Sequence, residues 1–355
     1  MKNALIVSDH NLDPRLRLKL SLLKKDYGEV FVVEDFDRAP YFKNNSKRSD
    51  YRNIPYDELN LDVIKSNNIG LIYVSGAKVL VDKFLVFSKV KKDIPIIIEI
   101  PDLPLRKKSA LFNFFVAKIF SGVVSYLSSG IVITSDAFLH PLKYKKPFLL
   151  FYNYPSSNIC EKLLAINCAA DMHHRKVITY YGAIRYLDQI ELLLTYGKNH
   201  PEVDVKIYGG PLDELEKIPF FDAYRDLANI EFLGPYDYEN DIVSILSEAS
   251  VVYSVYDAAQ VNVRLALPNK LYEAVLAARP IVVSESTYLS EVVRRSKLGV
   301  EVPFVKEHYD LFDEKMTSLI NNLHISKLEE RENYHRQSEL QKDNFIDFVK
   351  RIGTK

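Results

Sequence analysis

Runs of consecutive apolar residues alternate with stretches of helical periodicity along most of the chain. In the first half, these runs predict strands at 4–8, 30–34, 71–74, 96–100, 131–134 and 148–152. Apolar residues at helical spacing lie between them, at 14–25 and 81–91. Strands that are apolar at every position are typical of a parallel sheet covered by helices on both faces. The first half of the chain therefore predicts such a sheet.

A second series with the same alternation begins near residue 176. It predicts strands at 177–181, 203–208, 230–233, 251–254 and 281–284, and helices at 189–196, 241–249 and 269–278. The segment 153–174, between the two series, has no strand pattern. We therefore expect two doubly wound α/β domains, at 1–165 and 175–325, and a terminal helix within 326–355 that packs back on the first domain.

The composition is that of a globular protein, with 47% hydrophobic and 26% charged residues. Cys160 and Cys168 are too few for a disulfide framework or a thiolate metal site, and they indicate a reducing compartment. The apolar run that follows Met1 is too short for a secretory signal peptide. We therefore expect a cytoplasmic protein.

The net charge is zero, but the two halves differ in sign. Residues 1–165 contain 25 Lys and Arg against 17 Asp and Glu, whereas the remainder contains 22 against 30. The basic half suits an acidic ligand or an anionic surface, although an imbalance of this size also arises by chance. No nucleic-acid-binding motif accompanies the basic residues, so nucleic acid is not an expected partner.

Polar residues follow two predicted strands of the first domain, where open α/β sheets bind ligands. His10, Asn11 and Arg15 follow the first strand, in the stretch SDHNLDPRLRL. Asp102 follows the strand 96–100 and lies between two prolines. A carboxylate at this place is a candidate general base or ligand of sugar hydroxyl groups, and the alternative is a loop carboxylate in solvent.

The segment 106–120, RKKSALFNFFVAKIF, places three basic residues ahead of a helix rich in phenylalanine. Lys118 and Gly122 interrupt the apolar run, so the segment does not predict a membrane span. Two interpretations remain open, an amphipathic helix on a membrane surface around 112–120 or an ordinary core helix.

The stretch 267–285, LPNKLYEAVLAARPIVVSE, begins a predicted helix with polar residues that a helix alone does not require. Pro268 suits the first turn, whose free N–H groups and dipole bind anions. Lys270 adds a positive charge that the helix dipole does not favour, so an anion is expected nearby. Asn269 and Glu273 share a helix face. The combination predicts a nucleotide site, with the diphosphate at the turn and the ribose at Glu273.

Gly182 ends the predicted strand 177–181, and Arg185 follows it ahead of a helix. A glycine lets a ligand approach the backbone, and an arginine there can pair with a phosphate group. Each residue taken alone is weak evidence of a site.

Together these segments resemble the GT-B glycosyltransferases of family 4, also called group 1. The donor-nucleotide segment of that family reads P-N-K-L-x-E-x-x-A-x-G-x-P-V-V, which residues 268–283 resemble. Other fragments follow in the family's order, DPRLRLKLSLLKK, YNYP, VITYYGAIRYLDQIELLL, VDVKIYGGP and NIEFLGPYDYENDIVSILSEASVVYSVYD. The resemblance covers nearly the whole chain and implies the GT-B fold, in which two Rossmann-like domains face a central cleft.

The resemblance implies that the second domain binds a nucleotide-sugar donor. Glu273 would bind the ribose, Asn269, Lys270 and Arg185 would surround the diphosphate, and Tyr236 would lie near the base. Gly182 would allow close approach to the backbone. Arg185 and Lys270 would also help the nucleotide to leave.

The sequence departs from the family where the donor sugar is recognised. Many members carry two glutamates separated by seven residues, but Leu265 occupies the earlier position here. That glutamate contacts the donor sugar where it is present, so the stretch indicates the nucleotide better than the sugar. Arg264, next to Leu265, is a candidate compensating cation. Asp188-Gln189 stands where a lysine-glycine pair often falls.

The resemblance therefore implies a hexosyltransferase-like enzyme that moves a sugar from a nucleotide diphosphate donor to a glycan acceptor. It implies retention of configuration, with no metal ion and no cofactor. The acceptor, lipid-linked in capsule, exopolysaccharide or lipopolysaccharide biosynthesis, would bind the basic first domain at His10, Asn11 and Arg15. Asp102 would contact the acceptor or the sugar, or act as the base if the reaction inverts.

Two alternatives stay open. One is a GT-B sugar-nucleotide epimerase, and the other is a catalytically silent GT-B protein that binds a nucleotide sugar or a partner subunit. The basic excess of the first half and the segment 112–120 also predict peripheral contact with an anionic membrane surface, on its cytoplasmic face.

Overall fold

The structure, a computed structural model, describes residues 1–8, 14–34, 51–105, 110–166, 175–219, 221–323 and 328–353. These residues form two units. The first unit contains the described residues before Ser157 and after Gln337, and the second contains those between Ser157 and Gln337. Each unit is built on its own parallel sheet.

The first unit has seven strands in the order β3-β2-β1-β4-β5-β6-β7, and every neighbouring pair is parallel. The strands are β1 Asn3–Ser8, β2 Val30–Glu34, β3 Arg52–Pro55, β4 Ile69–Ser75, β5 Ile96–Ile100, β6 Gly130–Ile133 and β7 Phe148–Leu150. The helices are α1 Pro14–Leu23, α2 Leu61–Ser66, α3 Ala77–Asp82, α4 Phe84–Val90, α5 Ala110–Leu127 and α6 Leu139–Leu142. All seven positions of β4 and all five of β5 are buried, as expected for strands covered on both faces.

The second unit repeats this plan with six parallel strands in the order β10-β9-β8-β11-β12-β13. The strands are β8 Val177–Ala183, β9 Asp204–Gly210, β10 Ile230–Gly234, β11 Val251–Ser254, β12 Ile281–Ser284 and β13 Gly299–Val302. The helices are α7 Ser157–Leu164, α8 Leu187–Asn199, α9 Asp222–Arg225, α10 Tyr238–Glu248, α11 Val261–Leu265, α12 Asn269–Leu276, α13 Tyr288–Ser296 and α14 Tyr309–Asn321. The predicted fold class of two doubly wound parallel α/β sheets is confirmed.

A last helix, α15 Leu328–Gly353, closes the chain. Its residues from Ser338 onward belong to the first unit. Phe345 and Phe348 are buried there, and the Phe345 ring meets those of Tyr73 and Phe151 edge to face, at 5.9 and 5.5 Å between centroids. The apolar residues spaced along this helix therefore pack into the core around the first sheet.

Several elements differ from the sequence prediction, including an edge strand, a predicted helix that is broken in two and a helix in the segment 153–174. The strand β3 was not expected, because it is an edge strand with one buried residue, Ile54. The predicted helix 81–91 is two helices, α3 and α4, separated at Lys83, where the backbone leaves helical geometry (φ −106°, ψ 16°). The segment without strand pattern contains α7, a short amphipathic helix.

In both sheets the order of the strands reverses beside the first strand of the unit. The reversal lies between β1 and β4 in the first sheet and between β8 and β11 in the second. A sheet of this kind opens a crevice at the carboxyl ends of the strands flanking the reversal, and ligands bind there. In the second unit, ligand-binding residues are therefore expected in the loops after β8 and β11.

Candidate functional site

The carboxyl ends of β8 and β11 carry a cluster of tyrosines around one lysine. Tyr180 and Tyr181 lie on β8, and Tyr256 follows β11. Lys270 reaches the same place from α12. Gly182, next along β8, has φ +122°, and a side chain there would place its Cβ 3.3 Å from the Lys270 Nζ. A glycine therefore leaves room for the lysine at the strand end.

The helix α12 is buried almost completely, which explains how its polar residues enter the core. All of its residues after Asn269 are buried. Pro268 is the N-cap residue in extended conformation (φ −75°, ψ 159°), so it precedes the first helical residue and does not lie within the first turn as expected. Because the apolar side chains of α12 pack into the core, Lys270 and Glu273 on the same helix are buried as well.

The Lys270 ammonium is held by tyrosines. Its Nζ donates a 2.6 Å hydrogen bond to the Tyr256 hydroxyl. The same atom lies 5.1 Å from the centroid of the Tyr180 ring, 5.0 Å from that of Tyr181 and 5.3 Å from that of Tyr256. Such ring contacts stabilise a cation that has lost most of its water, and Lys270 is only 9% exposed. The structure thus fixes a positive charge at the switch point.

Glu273 lies one turn further along α12 and is 1% exposed. Its Oε1 accepts a 2.6 Å hydrogen bond from the Tyr238 hydroxyl, and its Oε2 accepts a 2.8 Å bond from the Tyr181 hydroxyl. Burial raises the pKa of the Glu273 carboxyl, while the two hydroxyls and the Lys270 charge act in the opposite direction. The carboxylate is therefore joined to β8 and to the start of α10.

The two tyrosines remain proton donors over a wide pH range. Burial raises the pKa of Tyr181 and of Tyr238 well above the ordinary value, and the neighbouring Glu273 charge adds to the effect. Burial also raises the pKa of Tyr236. The Tyr236 ring meets the Tyr181 ring edge to face, at 6.4 Å between centroids.

These shifts predict that the protein loses stability in alkali. A tyrosine whose pKa is higher in the folded state stabilises the fold below pH 10, and this contribution falls as pH rises above 10, because the unfolded chain then releases the proton more readily. Substitution Tyr238→Phe removes one such group. Between pH 10 and 12, the free energy of unfolding of the variant should therefore decrease with pH less steeply than that of the wild type. The expected difference between the two slopes is about 1.4 kcal/mol per pH unit. Urea unfolding at several pH values measures this, and equal slopes would contradict it.

The other predicted donor residues lie at different distances from this cluster. Arg185 is exposed in the loop between β8 and α8. Burial raises the pKa of Tyr180 well above its ordinary value, and the Arg185 charge acts in the opposite direction, so Arg185 lies close to the cluster. Asn269 is the first residue of α12 and is half-buried. Arg264 is exposed on α11, outside the described contacts of the cluster. Leu265, in the position of the missing glutamate, ends that helix.

The residues predicted to bind the acceptor belong to the first unit. Asp102 is exposed, two residues after the end of β5, and Arg15 is half-buried in the first turn of α1. His10 and Asn11 lie outside the described residues. The Glu99 carboxylate, inside β5, is buried against the Lys19 ammonium at 2.8 Å.

The tyrosines of the cluster were missed by the sequence analysis. The signal available was the Tyr-Tyr-Gly triplet at a strand end, in a chain with 23 tyrosines and no tryptophan. The sequence does not show that Tyr181 and Tyr238, 57 residues apart, share one carboxylate with Glu273. Such a constellation depends on the order of the strands in the sheet.

The helix α5 presents a second notable surface. Its core side holds Phe120, Val124 and Leu127. On its outer side, six large apolar side chains are 43% to 67% exposed, namely Leu111, Phe112, Phe114, Phe115, Ile119 and Tyr126. None of the helices in the described ranges has both the length and the apolar composition to cross a membrane. The basic cluster 106–108 lies outside the described residues.

Comparison with known proteins finds a family model that matches part of the chain and solved structures with a similar fold. The model of the family described as glycosyl transferases group 1 matches residues 175–322. No curated protein matches the chain. Anabaena HepE in complex with UDP has a TM-score of 0.70 over 100% of this chain and 99% of its own, at 12% identity.

Two further solved structures have the same architecture. A glycosyltransferase from Rickettsia africae has a TM-score of 0.70 over 99% of this chain and 98% of its own, at 10% identity. The UDP-N-acetylglucosamine 2-epimerase from Rickettsia bellii has a TM-score of 0.59 over 99% of this chain and 98% of its own, at 12% identity. Likenesses at such identities establish the GT-B fold, which confirms the expectation from the resemblance.

Proposed function

From the match of residues 175–322 to the model of the group 1 glycosyltransferases, we propose that the protein transfers a sugar from a nucleoside diphosphate donor to a glycan acceptor. The observation that carries the proposal is the buried Lys270 ammonium at the switch point of the second sheet. The UDP bound in the HepE structure makes UDP-sugars the first donors to test.

The chemistry requires charge stabilisation at the leaving group. When the bond between the sugar and the diphosphate breaks, negative charge develops on the diphosphate oxygens. Lys270 and Arg185 supply positive charge, and the free N–H groups at the start of α12, beginning with Asn269, supply hydrogen-bond donors. Gly182 leaves space for the diphosphate beside the strand end. Because the lysine is held by Tyr256 beforehand, little reorganisation is needed when the donor binds.

The remaining donor residues complete the site. Tyr236, which meets the Tyr181 ring edge to face, would lie against the base, and Glu273 would bind the ribose. Arg264 would supply a cation near the donor sugar, where Leu265 replaces a glutamate. No metal ion or cofactor is required by this assignment.

The acceptor would bind the first domain. Its net positive charge suits a lipid-linked diphosphate glycan of a capsule, exopolysaccharide or lipopolysaccharide pathway, with His10, Asn11 and Arg15 as ligands. Asp102 would contact the acceptor or the transferred sugar in a retaining reaction. In an inverting reaction it would be the general base.

A screen for donor binding tests the proposal. Nucleotide sugars and the free diphosphates UDP, GDP and ADP are added to the full chain, and the melting temperature is recorded. A ligand at 100 times its Kd stabilises the native state by about 2.7 kcal/mol, so one series should raise the melting temperature by several degrees. A protein that responds to none of them contradicts the proposal. The epimerase alternative requires conversion of the donor without acceptor, and the silent alternative requires binding without turnover.

We also propose that α5 holds the protein on an anionic membrane surface, at the cytoplasmic side where a lipid-linked acceptor would be found. The exposed apolar residues of α5 would enter the headgroup region of the bilayer. The helix itself is not long and apolar enough to cross the membrane. Beside it, α4 adds Leu85, 74% exposed, and its Phe84 ring stacks on Tyr126 at 5.9 Å.

Basic residues border this apolar face. Lys118 is exposed on α5 itself. Lys91 Nζ lies 3.1 Å from the centroid of the Tyr126 ring, and Lys146 Nζ donates a 2.7 Å hydrogen bond to the Ser128 carbonyl oxygen. Burial lowers the pKa of Lys146, and the nearby Lys91 charge lowers it further. Positive charge next to exposed apolar side chains favours anionic lipid headgroups.

The double substitution Phe114→Ser/Phe115→Ser should weaken binding to anionic liposomes by about tenfold or more, because two aromatic side chains leave the interface. Co-sedimentation at low salt measures the effect, and the wild type should also bind less at high salt. Leu311→Ser, which removes an exposed apolar side chain from α14, is the matched control and should bind like the wild type. If the wild type does not sediment with such liposomes, the membrane proposal is wrong.

A further inference from the structure

The Tyr256 hydroxyl lies beside the Lys270 ammonium at the switch point of the second sheet. It accepts a 2.6 Å hydrogen bond from Lys270 Nζ, and its own proton has no acceptor in the part of the chain that the structure describes. We propose that this hydroxyl donates a hydrogen bond to the diphosphate of the sugar donor, alongside Lys270. The inference rests on the proposed function and adds a binding residue to it.

The Lys270 charge is the first reason to expect an anion at this place. The lysine is 9% exposed, yet among the described residues no carboxylate oxygen lies within 4.0 Å of its Nζ. Tyr256 is the one hydrogen-bond acceptor that those residues offer to the ammonium, which has three N–H donors. Because buried charges in proteins are paired, the remaining donors indicate that an anionic ligand completes the site.

The spacing of the two groups is the second reason, because it suits a phosphate. A tyrosine hydroxyl that accepts a bond from Lys270 keeps its own proton for another partner. The ammonium charge repels that proton, so the proton is directed away from Nζ. The Nζ and hydroxyl oxygen atoms are 2.6 Å apart, which is close to the separation of two oxygens of one phosphate group. Each donor can therefore meet one oxygen of the same phosphate, in the parallel manner of a bidentate arginine.

The support around Tyr256 is the third reason. Ser284, the buried last residue of β12, accepts a 2.7 Å hydrogen bond from the Tyr256 amide and donates a 2.6 Å bond to the Tyr256 carbonyl oxygen. The Tyr186 ring lies 5.2 Å from the Tyr256 ring between centroids, tilted by 53°. Tyr186 directly follows Arg185, so this contact also ties the arginine loop to Tyr256. The hydroxyl is thus held in place before the ligand binds, which lowers the entropy lost on binding.

The alternative is that Tyr256 holds Lys270 and never meets the ligand. The two roles differ once the lysine charge has been removed. A hydroxyl that acts only through Lys270 has no effect on ligand binding in a Lys270→Met background, whereas a hydroxyl that donates to the phosphate keeps its effect there. A double-mutant cycle on these two residues therefore separates direct binding from positioning.

The Kd of UDP is measured on the full chain by ligand-detected NMR titration, which reaches millimolar values, for the wild type, Tyr256→Phe, Lys270→Met and the double variant. If the donor screen identifies another base, its diphosphate is used instead. Direct donation predicts that Tyr256→Phe weakens binding by about fivefold or more in both backgrounds, because hydrogen bonds to charged groups are strong. Tyr196→Phe is the matched control. It removes the hydroxyl of a buried tyrosine that lies 3.3 Å from the Thr317 hydroxyl, and should leave the UDP Kd unchanged.

An effect of Tyr256→Phe below about fivefold in the Lys270→Met background would overturn the inference and leave Tyr256 as a residue that positions the lysine. This comparison stays decisive even if Tyr256→Phe alone does not fold, because the double variant contains no buried ammonium that has lost its partner. Failure of the wild type to bind any nucleoside diphosphate would instead refute the proposed function on which the inference rests.

Discussion

Replacing Lys270 with methionine is expected to lower kcat/KM by about 100- to 1,000-fold. Methionine keeps the apolar length of the side chain but lacks the charge that would meet the diphosphate as the nucleotide leaves. Because Lys270 is buried among three aromatic rings, its charge is poorly screened by water. The kinetic measurement uses the donor identified by the binding screen, with KM and kcat determined separately.

A control for this experiment is available in the same unit. Lys206 lies on β9, and its Nζ is 2.9 Å from a carboxylate oxygen of Glu248. Lys206→Met removes a lysine charge at a distance from the switch point, so kcat/KM should change less than about twofold. If Lys270→Met stays within tenfold of the wild type, the lysine does not serve the leaving group.

Replacing Lys19 with methionine is expected to lower the free energy of unfolding by about 3–5 kcal/mol. Lys19 and Glu99 form an ion pair at 2.8 Å in the first unit, and both side chains are buried. The Lys19 ammonium also lies 4.4 Å from the centroid of the Phe151 ring. Without the lysine, the Glu99 carboxylate is left as a buried charge, and that penalty exceeds the loss of the lysine's own contacts.

The double variant Lys19→Met/Glu99→Leu tests whether the stranded charge is the cause. It removes both charges and should recover most of the lost stability, because replacing a whole buried pair by apolar residues is often neutral. Urea unfolding, followed by circular dichroism, measures all three proteins. A single variant within 1 kcal/mol of the wild type would contradict the prediction.

The fold could be predicted from the sequence where buried strands are runs of predominantly apolar residues. The strands β2, β5, β11 and β12 have the predicted bounds for this reason. Other elements could not be found from periodicity. β3 is an exposed edge with one buried residue, so it lacks the apolar run.

The candidate site was predictable only in part. Gly182, Lys270 and Glu273 stood out because a helix or a strand gives no local reason for their residue types. The partners of these residues come from elsewhere in the chain. Tyr238 is 35 residues before Glu273 in sequence, and only the sheet order brings the two together. In the sequence, nothing distinguishes Lys19 from any other polar residue of a helix. In the structure it pairs with Glu99, 80 residues away.

Transfer of labelled sugar is the most direct test of the central claim. The full chain is incubated with the donor selected by the binding screen, labelled in its sugar, with and without a pool of lipid-linked glycan acceptors. The account predicts that nucleoside diphosphate is released when acceptor is present and that the label appears in the glycan. Binding of the donor with no release in any acceptor pool, or conversion of its sugar to an isomer without acceptor, would contradict the claim that the protein is a glycosyltransferase.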